Sequence, residues 1–296
     1  MPKTESATLL DAYSLFLLDC KAQKFTTSTI DFYKNRLPKF FDWCKTEGVT
    51  TLDQLKPTHI RGYLVHCQER NLKDNTLHGF ARAIRRFCNF VVSEELISVS
   101  PFAKVRMPKV AKQILPSLTT EQVKRVLAAC DNDRDKAVVL FLVDTGARAS
   151  ELVRLNYSHL DLKTGAVFIE RGKMSKDRHV FIGARTQKQL QRYLMRRKNK
   201  APGDPLFAAL DGQRLTTSGL RQLLIRVGRA AGVDHCAPHA LRRTFALWSL
   251  RAGMNVYALQ RLMGHDDLTT LLSYLGLTKD DLRDAHDQHG AVDSNL

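Results

Sequence analysis

Between two stretches of helical periodicity lies SPFAKVRMPKVAKQILP, with Pro101, Pro108 and Pro116. Proline lacks an amide proton and clashes with the preceding turn, so this segment cannot continue a helix. No other feature constrains the fold as much. With 296 residues the chain exceeds the ~250 at which single cores stop growing, and it has one place to divide. The expected organisation is a helical domain over 1–107, an extended linker over 108–117 and a second domain over 118–296. Residues 106–117 carry Arg106, Lys109 and Lys112 with no acid between them, which suits a strand of chain running along a phosphate backbone.

Before the break, apolar residues recur at intervals of three and four. Leu9, Leu10, Tyr13, Phe16 and Leu17 mark a first helix. The segment TTSTIDFYKNRLPKFFDWCKTEG begins with capping hydroxyls, ends at Gly48 and is expected to kink or split at Pro38. A third helix is expected from Pro57–Thr58. A fourth carries Leu77, Phe80, Ile84, Phe87 and Val91 on one stripe, with Arg82, Arg85 and Arg86 largely off it. Those arginines form either a solvated face or a phosphate-contacting one. After the break, Thr119 or Thr120 caps a new helix, and DKAVVLFLVDTG reads as a buried helix closing at Gly146. AVFIE and RHVFI read as short strands joined by the polar RGKMSKD, and the remainder is helical. The fold class is therefore mainly α with a small antiparallel sheet.

Charge narrows the partners. Lys+Arg number 46 against 30 Asp+Glu, a formal net charge of +16. Residues 118–278 hold 26 of the basic and 14 of the acidic side chains, whereas 279–296 hold two and five. A field of this sign favours a polyanion, most often nucleic acid, with salt-sensitive binding. The acidic tail after residue 278 is a poor ligand for DNA. Six widely spaced cysteines form no Cys-x-x-Cys pair, so a reducing, cytoplasmic setting is expected rather than a disulfide framework. His235, Cys236 and His239 lack a second ligand pair, so no metal is expected. No signal peptide and no apolar run long enough to span a membrane are visible.

Five short stretches of the second half supply the parts of a phosphoryl-transfer site: DTGARASEL with Arg148, RGKMSKDRHVFI with Lys173, HALRRTFA with His239 and Arg242, LMGH with His265, and LLSYLG with Tyr274. Attack on a phosphodiester builds charge on its non-bridging oxygens, which guanidinium forks meet with fixed, permanently protonated donors. A lysine at a hairpin tip can protonate a departing oxygen. A tyrosine hydroxyl, helped by a cationic pocket, can attack phosphorus and store the bond energy in an ester. Taken singly, each has a structural reading: a helix-end arginine, capping histidines, a core tyrosine, solvated lysines. As an ordered set they point to strand cleavage and rejoining without a cofactor.

In order and spacing these stretches resemble the tyrosine recombinase (phage integrase-like) family, and most closely its compact Xer-type members. TGARASEL looks like the first arginine box, GKMSKDR like the β-hairpin lysine box with Lys176 as second candidate, HALRRTFA like the His-x-x-Arg box, and LMGHDDLTTLLSYLG like the Gly-His box followed by the nucleophile. TLHGFARAIRRFCNFVVSEELISVSPF resembles the helical, SAM-like core-binding domain, and LPSLTTEQVKRVL the entry to the catalytic domain. Ala147, Phe181 and Leu275-Gly276 depart from the common pattern without removing a reacting group. The resemblance implies catalytic roles for Arg148, Lys173, His239, Arg242, His265 and the nucleophile Tyr274. It implies a 3′-phosphotyrosine intermediate and a tetramer on two double-stranded DNA sites with inverted-repeat cores, with accessory proteins possible. Arg82, Arg85, Arg86, Lys109, Lys112, Lys176 and Arg243 are the candidate DNA contacts. A type IB topoisomerase and a non-catalytic DNA-binding protein of the same fold are the alternatives.

Overall fold

The computed structural model describes residues 7–110, 117–170, 177–197, 200–264, 283, 286 and 287. The chain divides into two compact units, Met1–Gln113 and Ile114–Leu296.

The first unit is helical: α1 Leu9–Ala22, α2 Thr27–Lys34, α3 Leu37–Thr46, α4 Pro57–Glu69 and α5 Asp74–Ser93. Thr8 and Thr26 cap α1 and α2 by accepting from the amides of Asp11 and Thr29. The expected break at Pro38 is a full separation. Pro38 lies in the first turn of α3, where its missing N–H would otherwise be owed to Lys34 in a continuous helix. The predicted stripe of α5 is the buried one, Leu77, Phe80, Ile84, Phe87 and Val91 all being buried. Aromatic edges hold the centre, Phe16 meeting Tyr33, Phe87 and Phe90, and Phe41 meeting Tyr13 and Phe87. Phe102 and Val105 are buried in the same core.

The second unit contains α6 Thr120–Ala128, α7 Asp133–Thr145, α8 Ala149–Arg154, β1 Ala166–Ile169, β2 Arg178–Phe181, α9 Ala184–Met195, α10 Thr217–Ala230, α11 Pro238–Arg251 and α12 Val256–Met263. Helix α8 is absent from the sequence expectation, because six residues carry too little periodicity to announce a helix. Helix α7 is the buried axis, packed on α9 and α11 with Val138, Val139, Phe141 and Leu142 inaccessible. The strands pair antiparallel in the register Val167↔Val180 and Ile169↔Arg178. The core is tied to the chain's entry by Leu118, whose amide donates to Thr244 Oγ1 of α11.

All six cysteines are buried thiols. Burial pushes Cys44 and Cys88 up to about 12, as expected of small core hydrophobes rather than reactive groups. No described helix is long and apolar enough to cross a membrane.

Candidate active site

The site begins where α7 stops. Gly146 caps that helix in the left-handed conformation (φ 60°), and a Cβ there would lie 2.3 Å from Phe245 Cδ1 of α11. Both the backbone angle and the ring demand glycine. The chain then turns through Ala147 to Arg148, the N-cap of α8. Glu151, three residues on, accepts from the Arg148 amide at 2.8 Å and from its Nη1 at 2.9 Å. The other arm of the guanidinium, Nη2, donates to the Gly264 carbonyl at 2.9 Å.

Among the described residues Arg242 is the largest fully buried side chain, 2% exposed. Its Nη1 donates to Gly146 O at 2.5 Å and its Nη2 to Met263 O at 2.8 Å. A third arginine, Arg178 at the start of β2, donates through Nε to Leu262 O at 2.7 Å. Its two Nη groups clasp Glu151 at 2.9 and 2.8 Å. Three arginines from three elements thus meet three consecutive carbonyls, Leu262, Met263 and Gly264, at the end of α12. Those carbonyls lie in the last turn and at the C-cap of α12, at the negative pole of the helix, where they satisfy the guanidinium forks.

Glu151 is the carboxylate that the described arginines share. Burial raises its pKa, but the hydrogen bonds and charge of Arg178, then those of Arg148, bring it down to about 2. It is ionised whenever the protein is folded near neutrality. His239, one turn before Arg242 on α11, is exposed at the surface. Desolvation of its ring, followed by the charges of Arg242, Arg243, Arg221 and Arg148, holds its pKa below the usual imidazole value. The imidazole is therefore neutral at pH 7 and can accept a proton.

Of the predicted reacting residues, the structure brings together Arg148, His239 and Arg242. Lys173, His265 and Tyr274 lie outside the described residues, as do Lys112 and Lys176. Arg243, expected on DNA, is buried at 9% exposure, because it occupies an inward position of α11. Lys109 is exposed. Glu151 and Arg178 were missed by sequence reasoning. An acid three residues after an N-cap is a recognisable signal for the first. The second has none, since its partner is 27 residues away.

On the first unit, Arg82 and Arg85 are exposed and Arg86 half-buried. Arg36, not anticipated, joins them: its guanidinium lies 4.0 Å over the Phe32 ring, which Arg82 also approaches at 5.5 Å. Arg36 Nε is buried without a hydrogen-bond partner, and Gly79 makes room for it, since a Cβ there would sit 2.9 Å away. Burial and then Arg82 lower its pKa. Arg86 stands over Phe25 and reaches Gln23. Cations gathered on aromatic faces form a surface suited to phosphates.

Comparison with known proteins places this arrangement. The model of the phage integrase family matches residues 116–280, and that of the phage integrase N-terminal SAM-like domain matches residues 14–95. The tyrosine recombinase XerC of Bacillus pumilus is 31% identical over 280 residues, covering 90% of this chain and 92% of its own length. XerD of Shewanella oneidensis is 30% identical over 292 residues, covering 95% and 96%. A lambda integrase tetramer bound to a Holliday junction shares the fold with TM-score 0.78 and 15% identity, over 94% of this chain and 80% of that one. The chain belongs to the phage integrase family of tyrosine recombinases.

Proposed function

We propose that the protein is a site-specific DNA recombinase that cleaves and rejoins strands through a 3′-phosphotyrosine. The observation that carries this reading is the convergence of Arg148 and Arg242 on the end of α12, with His239 one turn before Arg242, within a chain whose relatives are tyrosine recombinases. In this reading Tyr274 attacks phosphorus and His239 accepts a proton as the phenol reacts. Arg148 and Arg242 meet the charge growing on the non-bridging oxygens. Donors of this kind act where solvent is excluded and cost no reorganisation at the moment of reaction. Lys173 gives a proton to the departing 5′ oxygen, with Lys176 beside it in sequence, and His265 donates to the same phosphate.

Residues 1–107 form the core-binding domain and 118–296 the catalytic one, joined by the linker 108–117. Arg82, Arg85, Arg86, Lys109 and Lys112 meet the backbone of double-stranded DNA, with Arg36 added by its place beside Arg82. A tetramer on two inverted-repeat sites is supported by the likeness of fold to lambda integrase, solved as a tetramer on a Holliday junction. The reaction proceeds in the cytoplasm without metal or nucleotide.

The test is covalent trapping. A library of duplexes nicked and randomised around the nick releases a short fragment after attack, so the enzyme stays esterified to DNA. Wild type should give a protein–DNA adduct that survives denaturing gel electrophoresis. Tyr274→Phe should bind DNA as wild type does and give none, since only the attacking oxygen is gone. Adduct formation by the phenylalanine variant would remove Tyr274 from the nucleophile's role.

A further inference from the structure

Arg178 stands at the root of the hairpin whose sequence carries Lys173, yet its side chain points to two other parts of the site. Its two Nη groups hold both oxygens of Glu151, and its Nε holds Leu262 O at the end of α12. The side chains of Arg178 and Glu151 are each only 8% exposed, so this pair is desolvated and its geometry is strict. Glu151 in turn holds the amide and Nη1 of Arg148, whose Nη2 takes Gly264 O. Two links therefore lead outward from one guanidinium. One runs through Glu151 to Arg148, the half-buried arginine that the recombinase reading sets against the phosphate. The other runs to the last turn of α12, immediately before His265 in sequence.

We propose that Arg178 is a positioning residue for strand cleavage: it sets the orientation of Arg148 through Glu151 and fixes the last turn of α12 through the Leu262 carbonyl. The inference rests on the recombinase reading above. Lysine cannot replace it, because an ammonium is a point charge and cannot span both carboxylate oxygens and a carbonyl in one plane. Among the described residues, the charged groups facing Glu151 include Arg148 from the N-cap of α8 and Arg178 from β2, with Arg242 of α11 on the adjacent Met263 carbonyl. Removal of Arg178 takes away the partner that lowers the Glu151 pKa most, while its burial, which raises it, remains, so the pKa rises.

The experiment measures the single-turnover rate of adduct formation from pre-bound complexes on the nicked duplex library, across pH, for wild type, Arg178→Lys, Arg178→Gln and Arg178→Gln/Glu151→Gln. Rates per bound protein are insensitive to any unfolded fraction. Arg178→Gln should lose ~10²-fold in the cleavage step, the scale expected of a misplaced reacting group, with DNA affinity close to wild type. Arg178→Lys should recover only part of that loss. Protonation of His239 gives every variant an acid limb. The Arg178→Gln variant should show a second one, its rate falling further as Glu151 protonates, which wild type and the double variant, with no carboxylate to titrate there, should lack. A purely structural role would lower the rate without the second limb, and that outcome, or a wild-type rate, overturns the proposal. If wild type itself forms no adduct, the recombinase reading falls and takes this inference with it; if wild type reacts and Arg178→Gln matches it, only the inference falls.

Discussion

Arg148 and Arg242 carry the same chemistry in different surroundings, and mutation should separate them. The Arg148 side chain is 38% exposed and touches two groups beside the surface, whereas Arg242 is buried across two main-chain carbonyls. Arg148→Ala should therefore abolish most cleavage with little change in melting temperature. Arg242→Ala should lose cleavage and also cost about 2–4 kcal/mol of stability, since it opens a cavity and leaves Gly146 O and Met263 O without that donor. Both losses of rate should be of order 10²-fold or more. Thermal melts run beside the adduct assay decide the point, and equal melting temperatures for the two variants would contradict it. The motif spacing marked both arginines as candidates. It could not tell which one is also a structural post, because burial depends on what packs around α11.

At the scale of the element, α8 is a short helix whose N-terminus is built from charge. Glu151 has its pKa depressed from an ordinary 4.5 to about 2. A depressed carboxylate contributes stability above its unfolded pKa and loses it as pH falls through the folded value. The difference corresponds to about 3 kcal/mol, present at neutral pH and lost between about pH 5 and pH 2. Glu151→Gln should thus be markedly less stable than wild type at pH 7, with the gap narrowing steadily below pH 5. Urea unfolding at several pH values measures it. A gap constant with pH would mean that the carboxylate's charge contributes nothing. The element itself was not foreseen in the sequence, although its neighbours were. Asn132 caps α7, Thr119 caps α6 and Gly146 ends α7, each by a hydrogen bond or backbone angle within a few residues. Helix α8 has no such periodicity and is held by Arg178 from a strand 27 residues away.

For the whole molecule, a formal charge of +16 makes DNA affinity a function of salt. The logarithm of the binding constant should fall linearly with the logarithm of salt concentration. Each arginine that meets a phosphate contributes about one to the slope. Arg36→Ala and Arg82→Ala should each lower that slope by about one and weaken binding similarly on all duplexes. An unchanged slope for both would leave their cluster over Phe32 as a solvated face.

The sequence by itself determined the longer helices, the capping hydroxyls that open α2 and α6, the separation at Pro38, the inward stripe of α5 and the order of the candidate reacting residues, since each depends on neighbours within a turn or two. Tertiary structure alone decided the rest. The contacts of Arg148 with Gly264 span 116 residues, those of Arg242 with Gly146 span 96, and those of Arg178 with Leu262 span 84. Hydrogen bonds of that reach exist only once α7, α11, α12 and β2 have packed. No local pattern encodes which carbonyl an arginine will find.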